Sequence, residues 1–191
     1  GELKITPVKI VLTADSANKV YDGKALTKDS YKITTGAFVG EEGLASVTVE
    51  GSQTLVGSSD NTITGHTLKE NTKAQNYEIS YVKGTLTVTQ ASLAITVKAD
   101  DDSKPYDGTP LTKGTATLTA GTLAEGDYLV NTVTGTITNA GTEVNTLSDV
   151  KVMHGEGEAA VDVTANYQIT KQNGELKITP VKIVLTADSA N

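Results

Sequence analysis

The sequence predicts an all-β protein built from two copies of one small domain, and three observations carry that expectation. Short apolar alternations recur at spacings of about 8 to 12 residues, separated by Gly, Asn and Asp, which is the pattern of sandwich or barrel-like units. Thr and Val are abundant, and β-branched side chains suit a pleated, half-buried surface better than a helix. The same 18 residues, GELKITPVKIVLTADSAN, occupy positions 1–18 and 174–191.

That duplication sets a period of 173 residues and predicts a piece of a longer repetitive chain. A weaker repeat lies inside it. Tyr21-Asp22-Gly23 matches Tyr106-Asp107-Gly108 and Leu26-Thr27-Lys28 matches Leu111-Thr112-Lys113, both at an offset of 85 residues. Asn76-Tyr77-Glu78-Ile79 matches Asn166-Tyr167-Gln168-Ile169 at an offset of 90, so the second copy carries extra residues between Asn145 and Asn166, where residues 153–158 read as a lengthened loop. Units of this size are whole small domains, because repeats of about 20 to 50 residues are the ones that need neighbours to bury a core. The expected division is 1–7 as the closing strand of a preceding unit, 8–90 as unit one, 91–180 as unit two and 181–191 as the opening strand of a next unit.

Composition limits the chemistry. The 191 residues contain no Cys, which excludes thioester, disulfide and cysteine-zinc sites, and the core must come from Val, Ile, Leu and Tyr because there is no Trp and only one Phe. All 16 basic residues are lysines and the net charge is −7. Without arginine the usual bidentate phosphate reader is missing, so no nucleic-acid partner is expected. No apolar run approaches the ~18 residues that span a bilayer, so no membrane insertion is expected either.

In order, Leu3 and Ile5 alternate with Lys4 and Thr6 as a strand. Pro7 and Pro180 mark junctions, since proline has no amide hydrogen and keeps the preceding residue out of the helical region. Gln90-Ala91-Ser92 is a linker too short for free tumbling, so the two domains are expected end to end as a stiff rod. Val8, Ile10 and Leu12 open unit one; Leu93, Ile95 and Val97 open unit two. Asp22-Gly23 reads as a hairpin turn between residues 20–21 and 25–26. In the second copy Pro105 and Pro110 flank that turn and confine it to a sheet edge or an open turn. Residues 123–127 are long enough for one helical turn. Val47-Thr48-Val49 and residues 130–137 read as strands, and 57–61 and 141–145 as turns. Each unit is expected to close with a hairpin, residues 77–81 into 86–88 and 167–169 into 176–178.

These landmarks in this order, Tyr-Asp-Gly early, Gly121, Leu123, Gly126 and Asp127 in the middle, Asn-Tyr-x-Ile and Gly-x-Leu-x-Ile at the end, resemble the YDG and MBG type (mucin-binding, Ig-like) tandem repeats of large bacterial cell-surface adhesins. The likeness covers both units, except that residues 38–43 of unit one lack the Gly-Asp pair. It implies two tandem small β-sandwich domains of Ig-like type, with a β-grasp-like unit as the alternative. It further implies an extracellular segment attached to the bacterial cell wall through other regions. The expected role is a structural stalk or spacer that projects a terminal binding region, with neighbouring repeats as partners. The alternative is a glycan- or mucin-binding repeat acting through avidity.

Several constellations are candidates for sites. Tyr21, Asp22, Gly23, Tyr106, Asp107 and Gly108 would line a glycan site if the rings stack on sugars; the plainer reading packs each ring on the core edge. The stalk resemblance implies a candidate Lys–Asn isopeptide brace, with Lys9 or Lys98, Asn76 or Asn166, and Asp15, Asp22, Asp100 or Asp107 as the acid. Asp100, Asp101 and Asp102 lack the alternation and the bidentate Glu of a calcium loop, so a solvated acidic turn is expected, with no metal and no cofactor. His66 and His154 fall in non-equivalent places and no Ser, His and acid recur together. No enzyme is expected. Terminal strands without partners invite association between copies.

Overall fold

A computed structural model describes residues 1–187; the expected opening strand 181–191 therefore ends, at 188–191, outside the described residues. The fold is all-β and sandwich-like, with three 3-10 turns as its only helical pieces among the described residues. The chain divides into two compact units, Gly1–Ala91 and Ser92–Asn191.

Unit 1 contains β1 (Val8–Ala14), β2 (Ala17–Val20), β3 (Tyr31–Thr35), β4 (Leu44–Glu50), β5 (Gly57–Leu68), β6 (Tyr77–Val82) and β7 (Gly84–Thr89). One sheet has the order β3-β1-β6 and the other β2-β7-β5-β4. Unit 2 contains β8 (Leu93–Ala99), β9 (Asp102–Pro105), β10 (Ala116–Ala120), β11 (Asp127–Thr134), β12 (Gly141–His154), β13 (Val161–Asp162), β14 (Tyr167–Gln172) and β15 (Gly174–Thr179). Its sheets run β10-β8-β14 and β11-β12-β15-β9, with β13 added against β12. Strand for strand, the order is that of unit 1.

The alternation of the first strand explains the core. In β1 Ile10, Leu12 and Ala14 turn inward and are at most 1% exposed, while Lys9 points out. They meet Ile63 of the opposite sheet and Tyr77, with Phe38, Leu44, Val47, Val49 and Ile79 around them. In unit 2 Ile95, Val97 and Ala99 repeat the pattern on β8, and Leu176 and Ile178 on β15 pack with Leu111 and Ile137. Burying one such Leu or Ile contributes about 1.5 to 3 kcal/mol, so these few side chains hold most of each unit.

Five sequence expectations are corrected. The closing segments are not hairpins: one residue, Lys83 or Asn173, separates the two strands, fewer than the two residues that a tight reversal uses. The chain instead bends and runs on, β6 pairing in parallel with β1 and β7 in parallel with β2. Nor is Asp22-Gly23 a hairpin, because Val20 pairs with Thr89 and Leu26 forms a bridge with Gln53. Residues 57–61 and 141–145 are strand, not turn, paired with the closing strands β7 and β15. Met153 and His154 are the end of β12 rather than loop; the extra length is Gly155 to Ala160 plus β13. The segment 123–127 forms a tight turn, closed by Asp127 N–H donating to the Ala124 carbonyl at 3.1 Å, in place of a helical turn. Pro105 lies in β9, the edge strand of its sheet, as its missing donor requires.

Candidate functional site

The arrangement common to both units is a pair of long parallel strands formed by the beginning and the end of the unit. In unit 1 the register runs from Val8↔Tyr77 to Thr13↔Val82, then, past a bend, from Ala17↔Leu86 to Val20↔Thr89. Unit 2 repeats it from Leu93↔Tyr167 to Lys98↔Gln172 and from Asp102↔Leu176 to Pro105↔Thr179. Because the pairing is parallel, the chain enters a unit at one end of this ribbon and leaves it at the other.

The bend is where the ribbon passes from one sheet to the other, and it is held at every polar group of one residue. Asp15 N–H donates to the Ser30 carbonyl at 2.9 Å, its carboxylate accepts the Ser30 hydroxyl at 2.6 Å, and its carbonyl accepts Nδ2 of Asn61 at 2.8 Å. The same Nδ2 also donates to the Lys28 carbonyl at 2.7 Å. In unit 2 Asp100 N–H donates to the Thr115 carbonyl at 3.0 Å, its carboxylate accepts the hydroxyls of Thr115 and Thr117, and Asn145 Nδ2 donates to the carbonyls of Asp100 and Lys113 at 2.9 and 2.8 Å. Hydroxyl donation, from Ser30 in the first case and from Thr115 then Thr117 in the second, holds both carboxyls below their ordinary range.

Asn61 and Asn145 are both 0% exposed. Each sits where its long strand changes partner, since β5 pairs with β7 up to Asn61 and with β4 from Thr62 on, and β12 does the same around Asn145. At that change of partner the side chain turns inward and its amide reaches the carbonyl at the bend and that of residue 28 or 113. Its Oδ1 accepts no hydrogen bond among the described residues. A glycine packs against that oxygen: a Cβ on Gly51 or Gly135 would lie 2.6 or 2.5 Å from it. Gly84 and Gly174 approach the bend itself, and a Cβ on Gly84 would lie 2.5 Å from the carbonyl oxygens of both Ala14 and Asp15.

A second shared element pins the loop after β3 or β10 to the start of the closing strand. Tyr77 hydroxyl accepts the Val39 N–H at 3.0 Å and donates to Glu42, and its ring lies 4.7 Å from that of Phe38. Tyr167 hydroxyl accepts the Ala124 N–H at 2.9 Å and donates to Asp127 at 2.5 Å, and His154 Nδ1 donates to the other Asp127 oxygen at 2.6 Å. Burial, then the Asp127 hydrogen bond, pushes the Tyr167 phenol up to about 12. The Glu42 hydrogen bond raises Tyr77 in the same direction. Both phenols thus stay neutral donors. Beside Tyr77 an open cleft of about 630 Å³ is lined in part by Val8, Val39, Glu42, Gln75 and Asn76.

The residues singled out from sequence fall as follows. Tyr21 is 2% exposed and offers no stacking face, whereas Tyr106 is 44% exposed. Asp22 accepts Lys19 Nζ at 2.6 Å and Lys24 N–H at 2.9 Å; Asp107 accepts Lys104 Nζ and Thr109 N–H, both at 2.9 Å. The lysine first, then the backbone donor, lowers both carboxyls, Asp107 to about 2. Gly23 and Gly108 each adopt φ +79°, the left-handed turn geometry that their motif needs. The Tyr-Asp-Gly turns are therefore closed on themselves by a lysine three residues before the aspartate. Lys9 is exposed, 4.0 Å from its cross-strand neighbour Glu78, and Asn76 is exposed. Lys98 Nζ donates to Asp101 at 2.5 Å, and Asn166 is 3% exposed. Of these four, only Asn166 has the burial that isopeptide chemistry requires. Asp100, Asp101 and Asp102 point to different partners, Thr115 and Thr117, Lys98 and Glu175 N–H, and Ser103 N–H. His66 contacts the Tyr81 hydroxyl, and His154 contacts Asp127.

Sequence reasoning missed Asn61 and Asn145. The signal was present: Gly51, Gly57 and Asn61 match Gly135, Gly141 and Asn145 at a constant offset of 84 residues. No protein-family model matches the chain, and a search of curated proteins finds no match either.

Proposed function

We propose that the chain is a tension-bearing spacer, two tandem Ig-like β-sandwich domains arranged end to end as a stalk that holds a terminal binding region away from a bacterial surface. The extracellular setting is supported by the motif resemblance to surface repeats. The mechanical role is supported by one observation, the parallel ribbon of first and last strands in each unit.

Tension along the chain pulls the start of β1 against the end of β7, in opposite directions along the ribbon. The pairs are then sheared together instead of opened in turn. Six register pairs join β1 to β6; at about 1 kcal/mol each and about 3.3 Å of travel per residue, shearing them together requires roughly 2 kcal/mol per Å, on the order of 100 pN. Opening the same pairs from one end requires several-fold less. The chain has no cysteine, so cysteine handles define the pulling geometry. Unit 1 pulled through Val8→Cys and Thr89→Cys is expected to rupture at several times the force needed through Val20→Cys and Thr89→Cys, which lie at the same end. Equal forces in the two geometries defeat the proposal.

A second reading, weak glycan or mucin recognition multiplied by copy number, is favoured by the exposed Tyr106 ring beside its lysine-locked turn. A glycan array probed with a multi-copy chain, and with Tyr106→Ala as control, tests it; silence from the multi-copy chain removes it.

A further inference from the structure

β11 is the outer strand of its sheet, and among the described residues it lacks the devices that keep the other sheet edges from pairing. Lysine stands in β2, β3 and β14 (Lys19, Lys32 and Lys171), glutamate in β6 (Glu78) and proline in β9 (Pro105), while register breaks interrupt β4 and β10. In β11 the pairs from Asp127↔His154 to Thr132↔Asp149 run without a break, and its one shift comes after them. Asp127, its one charged residue, has a side chain 0% exposed and bonded to His154 and Tyr167. The outward side chains there are Tyr128, Val130 and Thr132, the first two 39% and 47% exposed. The ladder also shows which backbone groups face the edge. Opposed residues of an antiparallel pair alternate between exchanging both hydrogen bonds and exchanging none. Val152, opposite Leu129, gives its N–H to Thr164 Oγ1 and accepts Val163 N–H on its carbonyl, both at 2.9 Å, so its backbone faces away from β11. Leu129 and, by the same alternation, Asn131 therefore turn their N–H and C=O groups to the outer edge.

We propose that β11 of one copy pairs edge to edge with β11 of a second copy, antiparallel about a two-fold axis at Val130. Leu129 of each copy then lies opposite Asn131 of the other and exchanges both backbone hydrogen bonds with it. Val130 meets its own counterpart and Tyr128 lies across from Thr132, contacts between aromatic and β-branched side chains that favour a strand pair. A second copy fits this edge because the register is its own complement. No charged residue lies between Tyr128 and Thr134, so two chains of net charge −7 meet where neither presents its charge. The contact is one strand wide, smaller than the roughly 1,200 Å² of a stable interface, so it is weak for one copy and gains strength where units recur along a chain. β11 is antiparallel to β12, and β12 to β15, so β11 runs in the direction in which the chain leaves the unit. Two copies joined at this edge thus run in opposite directions at the contact, as stalks projecting from facing surfaces do. That consequence rests on the stalk role; the pairing itself does not.

The test uses the full chain. Val130→Cys places a thiol on the axis, at a pair whose Cα atoms lie about 4.5 Å apart, within disulfide reach. Under oxidising conditions it is expected to form an intermolecular disulfide at least tenfold faster than Thr132→Cys. That control is exposed on the same strand but lies roughly 13 Å from its own counterpart, at about 3.4 Å per residue. Tyr128→Cys mixed with Thr132→Cys is expected to cross-link as readily as Val130→Cys. Val130→Lys changes an exposed side chain and sets two ammonium groups against each other; it is expected to keep the melting temperature and to abolish concentration-dependent dimers in sedimentation. Equal rates for Val130→Cys and Thr132→Cys, or self-association that survives Val130→Lys, mean that copies meet elsewhere and overturn the proposal. A chain that stays monomeric at every concentration leaves the edge to a foreign extended strand and overturns it as well. The force measurement on unit 1 involves no residue of β11, so the two readings stand or fall separately.

Discussion

Replacing Asn145 by Ala removes two donors and leaves their acceptors behind. Nδ2 of Asn145 bonds the carbonyls of Asp100 and Lys113 at 2.9 and 2.8 Å from a side chain that is 0% exposed. An acceptor left without its donor costs about 1 to 3 kcal/mol; both carbonyls belong to half-buried residues, so the low half of that range applies to each, and the loss is about 2 to 4 kcal/mol. A domain of this size has roughly 5 to 13 kcal/mol in total, so unit 2 loses a large part of its stability. With a urea dependence of about 1 to 2 kcal/mol per M, its midpoint falls by roughly 2 M. Urea unfolding followed by hydrogen exchange on peptides from β8 and β15 separates unit 2 from unit 1, which is expected to keep its wild-type midpoint. Asn145→Asp is expected to be worse than alanine at neutral pH, because a carboxylate then faces two carbonyl oxygens, and to recover in part in acid, where a protonated carboxyl donates again. If Asn145→Ala lies within about 0.5 kcal/mol of wild type, as ordinary surface changes do, the cap is not what holds the bend.

Gly174→Ala places a methyl group against the carbonyl of Ala99 and 2.7 Å from that of Asp100; calorimetry is expected to show unit 2 destabilised by about 2 kcal/mol or more, while Gly114→Ala, with open space around it, leaves the melting temperature unchanged. Tyr167 carries a folded-state value of about 12 against an ordinary 10.0, so its neutral form is favoured by folding. The stability it contributes is complete below pH 10 and lost as pH rises from about 10 toward 12; Tyr167→Phe is expected to flatten that limb in pH-dependent unfolding. Asp107 is shifted the other way, from 3.8 to about 2. Its contribution is present above pH 4 and lost as pH falls from about 4 toward 2, and Asp107→Asn is expected to remove that part of the acid limb.

Most strands were legible because their inward residues are Ile, Leu and Val at a period of two, as in β1, β8, β7 and β15. Their partners were not. Alternation at 77–81 and 86–88 marks two strands, but the same pattern serves a hairpin and a bent strand alike, and only the single residue between β6 and β7 tells them apart. Residues 57–61, Gly-Ser-Ser-Asp-Asn, read as a turn because none of them is apolar. They form a strand segment on which Asn61 alone is fully buried, and it is buried for hydrogen bonding and not for hydrophobicity. Tyr-Asp-Gly was conspicuous for a similar reason: its chemistry is spent locally, on Lys19 and Lys104, leaving little to distinguish a turn lock from a ligand site in sequence alone.

The bend and the ribbon make one mechanical argument. A straight parallel pair under shear slides by one register step once its bonds yield, whereas a bent pair must first be straightened. Here the bend is fastened by Asp15 and Asn61, or Asp100 and Asn145, to segments outside the ribbon. Sliding β6–β7 past β1–β2 under that pull would carry Gly84 away from the bend and bring Lys83 to the place where even a Cβ meets the carbonyls of Ala14 and Asp15. The glycine thus acts as a notch and the preceding residue as a stop, so resistance should come from the bend as well as from the hydrogen bonds. Gly84→Ala weakens the folded state by crowding, and Asn61→Ala loosens the fastening without crowding. Pulled through residues 8 and 89, Asn61→Ala is expected to lower the rupture force. An unchanged force with a lowered urea midpoint would confine the asparagine to thermodynamic stability and leave the ribbon's hydrogen bonds as the sole mechanical element.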